Sequence, residues 1–465
     1  MTTGAGSGSG SGSQSGSGSQ SGSGAGSGSG SGSTSGSASG SGIDGILDAG
    51  RLAGLSPAAL AEEFGTPFYV YDLDLIFRRV DALRAILPPG FRVAFAVKAN
   101  PALAVVTHLR RCGVGADVAS GGELELVLRA GFEPAAIAMT GPGKRDAELA
   151  AAVASGIGFI TVESPGELRR LEAIAASAGR RQPILLRLAV SEDARLETVR
   201  LIGGVEGKFG MPLETLMGTA RAAAASPNVE LLGIHAFGAS NLRNAEQLVG
   251  HVADLVEIGR QMAAEAGTRL RVVDAGGGLG IPYSDGETPL DLEHLSRRLH
   301  ELRGGWDVDG ELGDMEVVLE PGRFLVGPAG AYVARVVDVK GPESAPVAIL
   351  DGGINHVLRP ALVQSEHRLA VLTTDAVRAM VRTTVAGPLC TGIDVFTTDA
   401  MLPRPRVGDL VAVLDVGAYG FTEAMPFFLS HATAAEVAVC GGRAQLIRPR
   451  MTPVEVLDRQ LNPDW

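Results

Sequence analysis

The chain has 465 residues, more than one hydrophobic core usually organises, so two folded domains are predicted. Its formal net charge of −12 argues against a surface for nucleic acids or anionic membranes. The three cysteines (Cys112, Cys390 and Cys440) lack the paired spacing of a zinc site or a disulfide framework. No run is apolar and long enough to span a membrane. We therefore expect a soluble protein of the reducing cytoplasm.

Residues 1–43 are predicted to be a disordered tether. From Gly4 to Gly42 the sequence is almost entirely Ser and Gly. It offers no apolar side chains whose burial could offset the entropy cost of ordering the chain. This start also lacks the basic and apolar regions of a signal peptide.

From residue 67 onward, short apolar runs alternate with longer amphipathic stretches. The apolar runs predict eight strands, at residues 93–97, 115–119, 136–139, 158–162, 184–190, 231–236, 270–274 and 315–319. The amphipathic stretches predict intervening helices, among them 102–111, 122–130, 147–154, 166–178 and 245–266. Eight alternations within about 250 residues predict an α/β fold, a TIM-type (β/α)8 barrel over residues 67–323, rather than an open sheet.

After Arg323 the pattern changes to β-rich runs without regular helices between them. These runs lie at residues 331–339, 347–350, 381–386, 410–416 and 434–439. They predict a β-sandwich or β-barrel domain over residues 324–465. Residues 44–66 precede the barrel, and we expect them to join this second domain.

Polar residues gather where the predicted barrel strands end. They are Lys98, Asp117, Arg187, His235, the segment from Asp274 to Gly280, and Glu320-Pro-Gly-Arg323. Because the carboxyl ends of barrel strands form one rim, these groups are predicted to converge on a single site.

Lys98 carries the strongest chemical signal in this set. The chain has only four lysines (Lys98, Lys144, Lys208 and Lys340) among its 40 basic residues, so an ordinary surface cation here is usually Arg. An amine at the end of an apolar strand can lose its proton and form a Schiff base with an aldehyde, which a guanidinium cannot do. The alternative is a lysine at a strand end that reaches for solvent.

Other residues of the predicted rim suit a phosphate-bearing ring. The triplet Gly276–Gly278 lets backbone N–H groups approach an anion, although such a triplet also makes tight turns. Ser240 could add a hydroxyl donor. Glu320 could pair with a ring nitrogen and Arg323 with a carboxylate or phosphate, although the two could also form a local ion pair. An amine, a phosphate cradle and a carboxylate together describe a site for pyridoxal phosphate.

The chain resembles the fold-type III pyridoxal-phosphate decarboxylases over roughly residues 45–440. This family includes diaminopimelate, ornithine and arginine decarboxylases. The resemblance rests on seven motifs: Gly65-Thr-Pro-Phe-Tyr-Val-Tyr-Asp72, Ala96-Val-Lys-Ala-Asn100, the glycine triplet, Glu320-Pro-Gly-Arg323, Asp351-Gly-Gly353, Gly387-Pro-Leu-Cys390 and Gly417-Ala-Tyr419. It implies a barrel with a β domain, as in alanine racemase, and removal of the α-carboxylate of an amino acid or amino-acid derivative.

The resemblance also implies roles for individual residues. Lys98 would hold pyridoxal phosphate covalently, Glu320 would keep its ring nitrogen protonated, and Cys390 would return a proton to the α-carbon in the partner's site of a head-to-tail homodimer. The cofactor-binding set would be Lys98, Asp117, Arg187 (at the 3′ oxygen), Phe237 (stacked on the ring), Ser240, Gly278, Glu320, Pro321, Gly322, Arg323 and Tyr419. The substrate would meet Arg323, Arg359, Thr391 and Tyr419. No metal is expected, and Cys112 and Cys440 are expected to be structural.

Several substrate positions depart from the diaminopimelate enzymes. Those enzymes follow the cysteine with Glu-Ser-Gly-Asp, whereas this chain has Thr391 in place of the glutamate that grips the distal amine. Arg359 is kept, but Val363 replaces an expected Tyr, Phe237 replaces a His, and the segment ending at His431 differs. Such departures resemble decarboxylases that act on an amino acid tethered to a carrier protein. The substrate is therefore predicted to be a free amino acid or an amino acid bound to a carrier protein.

Three alternatives remain open at this point. The chain could be the diaminopimelate decarboxylase of lysine biosynthesis. It could be an amino-acid racemase, although a racemase of this plan places Arg rather than an acid such as Glu320 at the ring nitrogen. It could also be a pyridoxal-phosphate protein without enzymatic activity, which the added β domain with Cys390 and Tyr419 argues against.

Overall fold

The first described segment, residues 45–64, packs on the second domain and precedes the barrel in sequence. The computed structural model describes residues 45–190, 207–309, 312–372 and 377–463, so the predicted tether of residues 1–43 lies outside the described residues. The first elements are β1 (Leu47–Asp48), β2 (Arg51–Leu52), α1 (Pro57–Phe64), β3 (Phe68–Asp72) and α2 (Leu73–Ile86). Leu52 and Leu60 are buried in one cluster with Val333 and Val437 of the β domain.

Eight parallel strands close into a barrel, as the sequence predicts. They are β4 (Phe91–Ala96), β5 (Gly115–Val118), β6 (Ile137–Met139), β7 (Phe159–Val162), β8 (Gln182–Arg187), β9 (Val229–His235), β10 (Val272–Asp274) and β11 (Glu316–Leu319). Strand β11 pairs with β4, and this pairing completes the closure. The TIM-type barrel prediction is confirmed.

Helices alternate with these strands and form the outer layer. They are α3 (Leu103–Arg111), α4 (Gly121–Arg129), α5 (Asp146–Ser155), α6 (Pro165–Ser177), α7 (Leu213–Ala225), α8 (Ala245–Ala266), α9 (Leu292–Asp309) and α10 (Arg323–Val326). Side-chain caps fix several starts: the hydroxyls of Ser120 and Ser164 accept hydrogen bonds from the backbone N–H groups of Glu123 (3.2 Å) and Glu167 (3.1 Å). The five predicted helices lie within one residue of α3, α4, α5, α6 and α8.

Two layers of side chains stabilise the barrel. Strand residues such as Phe95 and Ile160 pack outward against the helices in the main buried cluster. Their neighbours in sequence, Ala94 and Phe159, belong to a separate small cluster made by strand residues alone. This alternation is expected when side chains fill the interior of a closed barrel.

The second domain is a β domain. It contains β12 (Gly330–Lys340), β13 (Val347–Leu350), α11 (Arg359–Val363), β14 (Leu369–Val371), β15 (Met380–Ala386), β16 (Val395–Pro403), β17 (Leu410–Val413), β18 (Ala435–Cys440), β19 (Arg443–Arg448) and α12 (Pro453–Leu457). The main path of its sheet runs β16-β15-β13-β12-β3-β18-β19, and β17 pairs with β12 and β14. The predicted β domain is confirmed.

Strand β3 changes the predicted division between the domains. Residues 68–72 fall on the barrel side of the predicted boundary at residue 67. However, β3 pairs antiparallel with β12, with Phe68 opposite Val333, and parallel with β18, with Phe68 opposite Ala435. We propose that the barrel begins after Asp72. None of the helices in the described ranges has both the length and the apolar composition that a membrane crossing requires.

Candidate active site

A cavity of about 260 Å³ opens at the carboxyl ends of the barrel strands. Nine of the residues predicted from sequence line it: Lys98, Arg187, His235, Phe237, Ser240, Glu320, Arg323, Arg359 and Tyr419. The barrel supplies the first seven, and the β domain supplies Arg359 and Tyr419. The site therefore depends on how the two domains pack, which local sequence pattern does not determine.

Lys98 lies in a single 3-10 turn, Val97–Ala99, directly after β4. Its Nζ atom is 3.3 Å from Oδ2 of Asp117, whose side chain is buried. Burial lowers the pKa of Lys98, but the carboxylates of Asp117 and Glu320 more than compensate, so this pKa lies above its ordinary value. Burial and the Glu320 carboxylate raise the pKa of Asp117 from 3.8 to about 6, against the opposing influence of Lys98. Asp117 thus keeps the amine charged.

A second acidic group lies at the floor of the cavity. Glu320 is 3% exposed, and its Oε1 atom has no hydrogen-bond partner among the described residues. Oε2 lies 3.8 Å from Nε2 of His235. Burial lowers the pKa of His235 well below its ordinary value, so the imidazole is neutral there. A buried carboxylate oxygen needs a donor, which a bound ligand or a proton on the neighbouring Asp274 can supply.

Asp274 completes this buried cluster. Ligand atoms of His235, Asp274 and Glu320 lie within 4.8 Å of one another, close enough to hold a cation by distance alone. Burial and the Glu320 carboxylate raise the pKa of Asp274 well above its ordinary value. Asp274 therefore binds a proton more readily than an ordinary carboxyl group does, and in that form it can donate a hydrogen bond to the Glu320 carboxylate. Its Oδ1 also accepts a hydrogen bond from the N–H of Gly276 at 2.9 Å, which fixes the turn after β10.

That turn and Arg323 form a cradle for an anion. Gly278 has φ +105°, and a Cβ added there would lie 2.8 Å from the carbonyl oxygen of Ala239. The buried guanidinium of Arg323 donates through Nη2 to the hydroxyl of Ser240 at 3.2 Å and through Nη1 to that of Tyr283. Bare backbone, a hydroxyl and a guanidinium are the groups that proteins use to bind phosphate.

Tyr419 joins the β domain to the barrel at this site. Its backbone N–H donates to the carbonyl of Ala99, beside Lys98, at 2.8 Å. Its ring lies near two cations: the guanidinium carbons of Arg323 and Arg359 are 4.9 and 4.8 Å from the ring centre. Arg359 in turn donates to both carboxylate oxygens of Glu423, at 3.0 and 3.2 Å.

Glu163 positions the opposite wall. Its Oε1 accepts hydrogen bonds from Arg187 Nη1 at 2.8 Å and from the N–H of Gly141 at 3.0 Å. Oε2 accepts from the N–H of Gly210 at 3.1 Å. The guanidinium carbon of Arg187 lies 4.8 Å from the ring centre of Phe209, which lines the cavity. One carboxylate therefore orients three segments of the rim.

Several predicted residues lie next to the cavity or away from it. Phe237 lines the cavity beside the glycine turn, since a Cβ added at Gly277 would meet its ring at 3.5 Å. Asp117 and Gly278 support lining residues from behind, and Pro321 and Gly322 connect Glu320 to Arg323. Among the described residues, Cys390, Thr391, Val363 and His431 do not line the cavity of the single chain.

The Cys390 loop is built around one buried carboxylate. Asp394 accepts hydrogen bonds from the N–H groups of Leu389 at 2.7 Å and of Ile354 at 2.8 Å. The loop is therefore rigidly attached to the segment that leads to Arg359, while the Cys390 thiol itself is exposed. Cys440 is also exposed and Cys112 is buried.

Sequence reasoning missed Glu423, Glu163, Tyr283 and Phe209. Each contacts a predicted residue across a long stretch of chain, and none belongs to a motif. Glu423 follows Tyr419 by four residues, and an acid close to a predicted site tyrosine was the only available signal.

A barrel rim with this amine, buried acid and anion cradle is that of a pyridoxal-phosphate enzyme. The buried Glu320 carboxylate fits a protonated ring nitrogen, and the cradle of Gly278 and Arg323 fits the phosphate. Comparison with known proteins gives the family. Residues 73–327 match the model of the pyridoxal-dependent decarboxylase, pyridoxal binding domain. The chain belongs to this family, which confirms the resemblance and identifies pyridoxal phosphate as its cofactor.

Individual relatives cover most of the chain. A diaminopimelate decarboxylase of Pseudomonas aeruginosa is 34% identical and covers 87% of this chain and 94% of its own. An enzyme of Niallia circulans named L-glutamyl-(BtrI acyl-carrier protein) decarboxylase is 31% identical and covers 87% and 96%. The solved diaminopimelate decarboxylase of M. jannaschii in complex with L-lysine has a TM-score of 0.82 at 26% identity, covering 90% and 98%. The chain is a pyridoxal-phosphate-dependent decarboxylase that acts on amino acids.

Proposed function

We propose that the cavity residues share the work of decarboxylation as follows. Lys98 holds the cofactor, Glu320 keeps a proton on the ring nitrogen, and Gly278, Ser240 and Arg323 bind the phosphate. Bound pyridoxal phosphate supplies an electron sink for the charge that remains on the α-carbon when CO₂ leaves. The observation that carries this assignment is the position of the buried Glu320 carboxylate, which lines the same cavity as Lys98 and Arg323.

The remaining cofactor-binding residues act on orientation. Asp117 sets the charge of the Lys98 amine, and Phe237 presents an aromatic ring to the cofactor face. Arg187, oriented by Glu163, contacts the 3′ oxygen. Tyr419 and the segment of Pro321 and Gly322 complete the binding site, and the same Tyr419 ring meets the substrate between Arg323 and Arg359.

We propose that Cys390 donates a proton to the α-carbon in the site of a second subunit. The thiol is exposed and lies outside the cavity of its own chain, whereas the loop that carries it is held rigidly by Asp394. A head-to-tail homodimer would bring each Cys390 loop, with Thr391, to the partner's cavity. The free thiols support placing the enzyme in the reducing cytoplasm.

We propose that the substrate is an amino acid whose distal end carries no charge, such as a glutamyl group joined to a carrier protein. Thr391 carries this proposal, because the loop offers a hydroxyl where a diaminopimelate enzyme offers a carboxylate. A cationic distal amine there would lose its counter-charge. The relative from Niallia circulans supports the same class of substrate.

Diaminopimelate is the second candidate substrate. Most of the relatives named above are diaminopimelate decarboxylases, and Arg359, which lines the cavity, could bind a distal carboxylate.

A direct comparison of substrates separates the two candidates. CO₂ release would be measured from meso-diaminopimelate, free L-glutamate and carrier-bound glutamate. We expect the carrier-bound substrate to give the highest kcat/KM, and efficient turnover of diaminopimelate would overturn the proposal. Replacing Thr391 by Glu should increase turnover of diaminopimelate, whereas the exposed Thr398→Glu should not.

A further inference from the structure

The Arg359–Glu423 ion pair lies within the cavity. Both residues line it, and one nitrogen of Arg359 donates to both carboxylate oxygens of Glu423. The Arg359 side chain is 6% exposed, whereas that of Glu423 is 25% exposed. Glu423 therefore faces the open volume, and it covers the charge of the more deeply buried guanidinium.

The pair belongs to the β-domain wall, close to the ring of Tyr419. Arg323, the other cation near this ring, donates to Ser240 and Tyr283 and belongs to the phosphate cradle. Arg359 makes neither of these contacts and forms its ion pair with Glu423 instead. The two arginines therefore have different partners: Arg323 has hydroxyl groups at the phosphate cradle, and Arg359 has a carboxylate at the other end of the cavity.

The charge of Glu423 determines what Arg359 can bind. A buried guanidinium without a counter-ion would attract a carboxylate strongly, because its charge would otherwise be uncompensated. With Glu423 present, an incoming carboxylate must displace that side chain or approach a like charge. An amide or thioester carries no charge and meets no such repulsion. Enzymes often obtain specificity from an unfavourable interaction of this kind.

We propose that Glu423 is a specificity-determining residue that occupies Arg359 and so discriminates against substrates with a free distal carboxylate. The proposal rests on the function proposed above, because it explains how a site that keeps Arg359 can prefer an uncharged distal end. Glu423 thereby acts together with Thr391. The loop after Cys390 has no carboxylate that could bind a distal amine, and Glu423 prevents Arg359 from binding a distal carboxylate.

The test uses the holoenzyme and the isosteric variant Glu423→Gln, with Glu423→Ala as a second variant. Glu343→Gln is the matched control, because Glu343 pairs with Arg404 on the surface. Calorimetry would measure the Kd of glutarate, which has two carboxylates and no amine. Kinetics would compare kcat/KM for L-glutamate and L-glutamine, whose distal carboxylate and carboxamide have nearly the same shape but a different charge.

Freeing Arg359 should tighten glutarate binding roughly tenfold, the scale of one hydrogen bond to a charged group. The ratio of kcat/KM for glutamate to that for glutamine should rise by a similar factor. Adding Arg359→Gln to the Glu423→Gln variant should remove both gains, and Glu343→Gln should show neither.

Unchanged or weaker glutarate binding in both Glu423 variants would overturn the proposal. A decrease in kcat/KM confined to substrates with a distal amine would also overturn it, because Glu423 would then be the residue that binds that amine. The proposed function is tested separately, by the preference of the wild-type enzyme for diaminopimelate or for carrier-bound glutamate. A diaminopimelate-preferring enzyme in which Glu423→Gln still tightens glutarate binding would refute that function and leave the blocking of Arg359 intact.

Discussion

The Nζ atom of Lys98 lies 3.3 Å from Oδ2 of Asp117, and this contact holds the amine in its charged form. Attachment of an aldehyde requires the uncharged amine. With Lys98 as the proposed point of attachment, Asp117 therefore acts against cofactor loading until the amine proton is transferred, and its own carboxylate lies close enough to take up that proton. Oδ1 of Asp117 accepts a hydrogen bond from Thr140 at 2.8 Å, which fixes the carboxylate in place.

Lys98→Ala should abolish covalent attachment of the cofactor and reduce CO₂ release to background, because an alanine side chain offers no amine. Borohydride reduction followed by mass spectrometry of the intact chain measures the attachment. Lys340→Ala is the control, since the side chain of Lys340 is 65% exposed and pairs with the exposed Asp338. A mass increase in reduced Lys98→Ala protein would show that another amine holds the cofactor.

Asp117→Asn should remove a pH dependence of stability between about pH 4 and pH 6. Folding raises the pKa of Asp117 from 3.8 to about 6, so the folded state binds more protons than the unfolded state in this window. Stability of the cofactor-free wild type therefore falls as the pH rises. The shift of about two units corresponds to at most about 3 kcal/mol.

Urea unfolding of the cofactor-free proteins across this window measures the effect. The stability of wild type relative to Asp117→Asn should decrease with rising pH and level off above the pKa of Asp117. Asp338→Asn, at an exposed carboxylate, should show no such trend. A constant difference between wild type and Asp117→Asn would refute the assignment.

Arg323→Ala should weaken the binding of pyridoxal phosphate by roughly ten- to a hundredfold, the range expected for hydrogen bonds from a charged group. The substitution also removes the hydrogen bonds that orient Ser240 and Tyr283. Quenching of protein fluorescence by added cofactor would give the Kd. Arg382→Ala, at a residue whose side chain is 68% exposed, should leave this Kd unchanged. If Arg323→Ala also left the Kd unchanged, Arg323 would not be a phosphate-binding residue.

Gly278→Ala should destabilise the turn after β10. Its φ of +105° is unfavourable for a residue with Cβ, and the added atom would lie 2.8 Å from the Ala239 carbonyl oxygen. Such strain costs about 1–3 kcal/mol. Urea unfolding would measure this loss, and cofactor titration should show weaker binding. Gly143→Ala, where an added Cβ meets nothing within 4 Å, should change neither quantity.

Cys390→Ala and Lys98→Ala should complement each other if active sites are shared between subunits. Each variant alone should be inactive or impaired, Cys390→Ala by roughly a hundredfold or more. After unfolding and refolding of an equal mixture, half of the dimers contain both variants, and each of these has one intact site. Activity should therefore recover to about a quarter of the wild-type value.

Mixing Lys98→Ala with Cys440→Ala provides the control for this experiment. Cys440 is exposed like Cys390 but interacts with Asp74, so Cys440→Ala should retain activity by itself. If the mixture of Lys98→Ala and Cys390→Ala recovered no activity although light scattering showed dimers, each active site would be formed by one chain alone.

Local pattern was enough to predict the barrel and much of the site. Each strand–helix unit has its own apolar period and its own caps, such as Ser120 and Ser164. Such signals do not depend on distant residues. The motif residues Lys98 and Glu320 were likewise predictable, because barrel topology brings strand ends together once the strands are recognised.

Other elements depended on partners far away in sequence. Strand β3 was not recognised as part of the β domain because its pairing partners lie in β12 and β18. Strand β19 is an edge strand in which only half of the residues are apolar, and it pairs only with β18 in the described sheet. Neither has a pattern that identifies its neighbour.

The sequence by itself determined the fold class and the cofactor, and it predicted many of the residues that line the cavity, because each of these is encoded in local periodicity or in a motif. The tertiary structure alone decided that Arg359 pairs with Glu423, 64 positions away, and that Cys390 lies outside the cavity of its own chain. The physical reason is that a charge pair needs only proximity. Proximity across two domains follows from packing, and no spacing of residues along the chain records it.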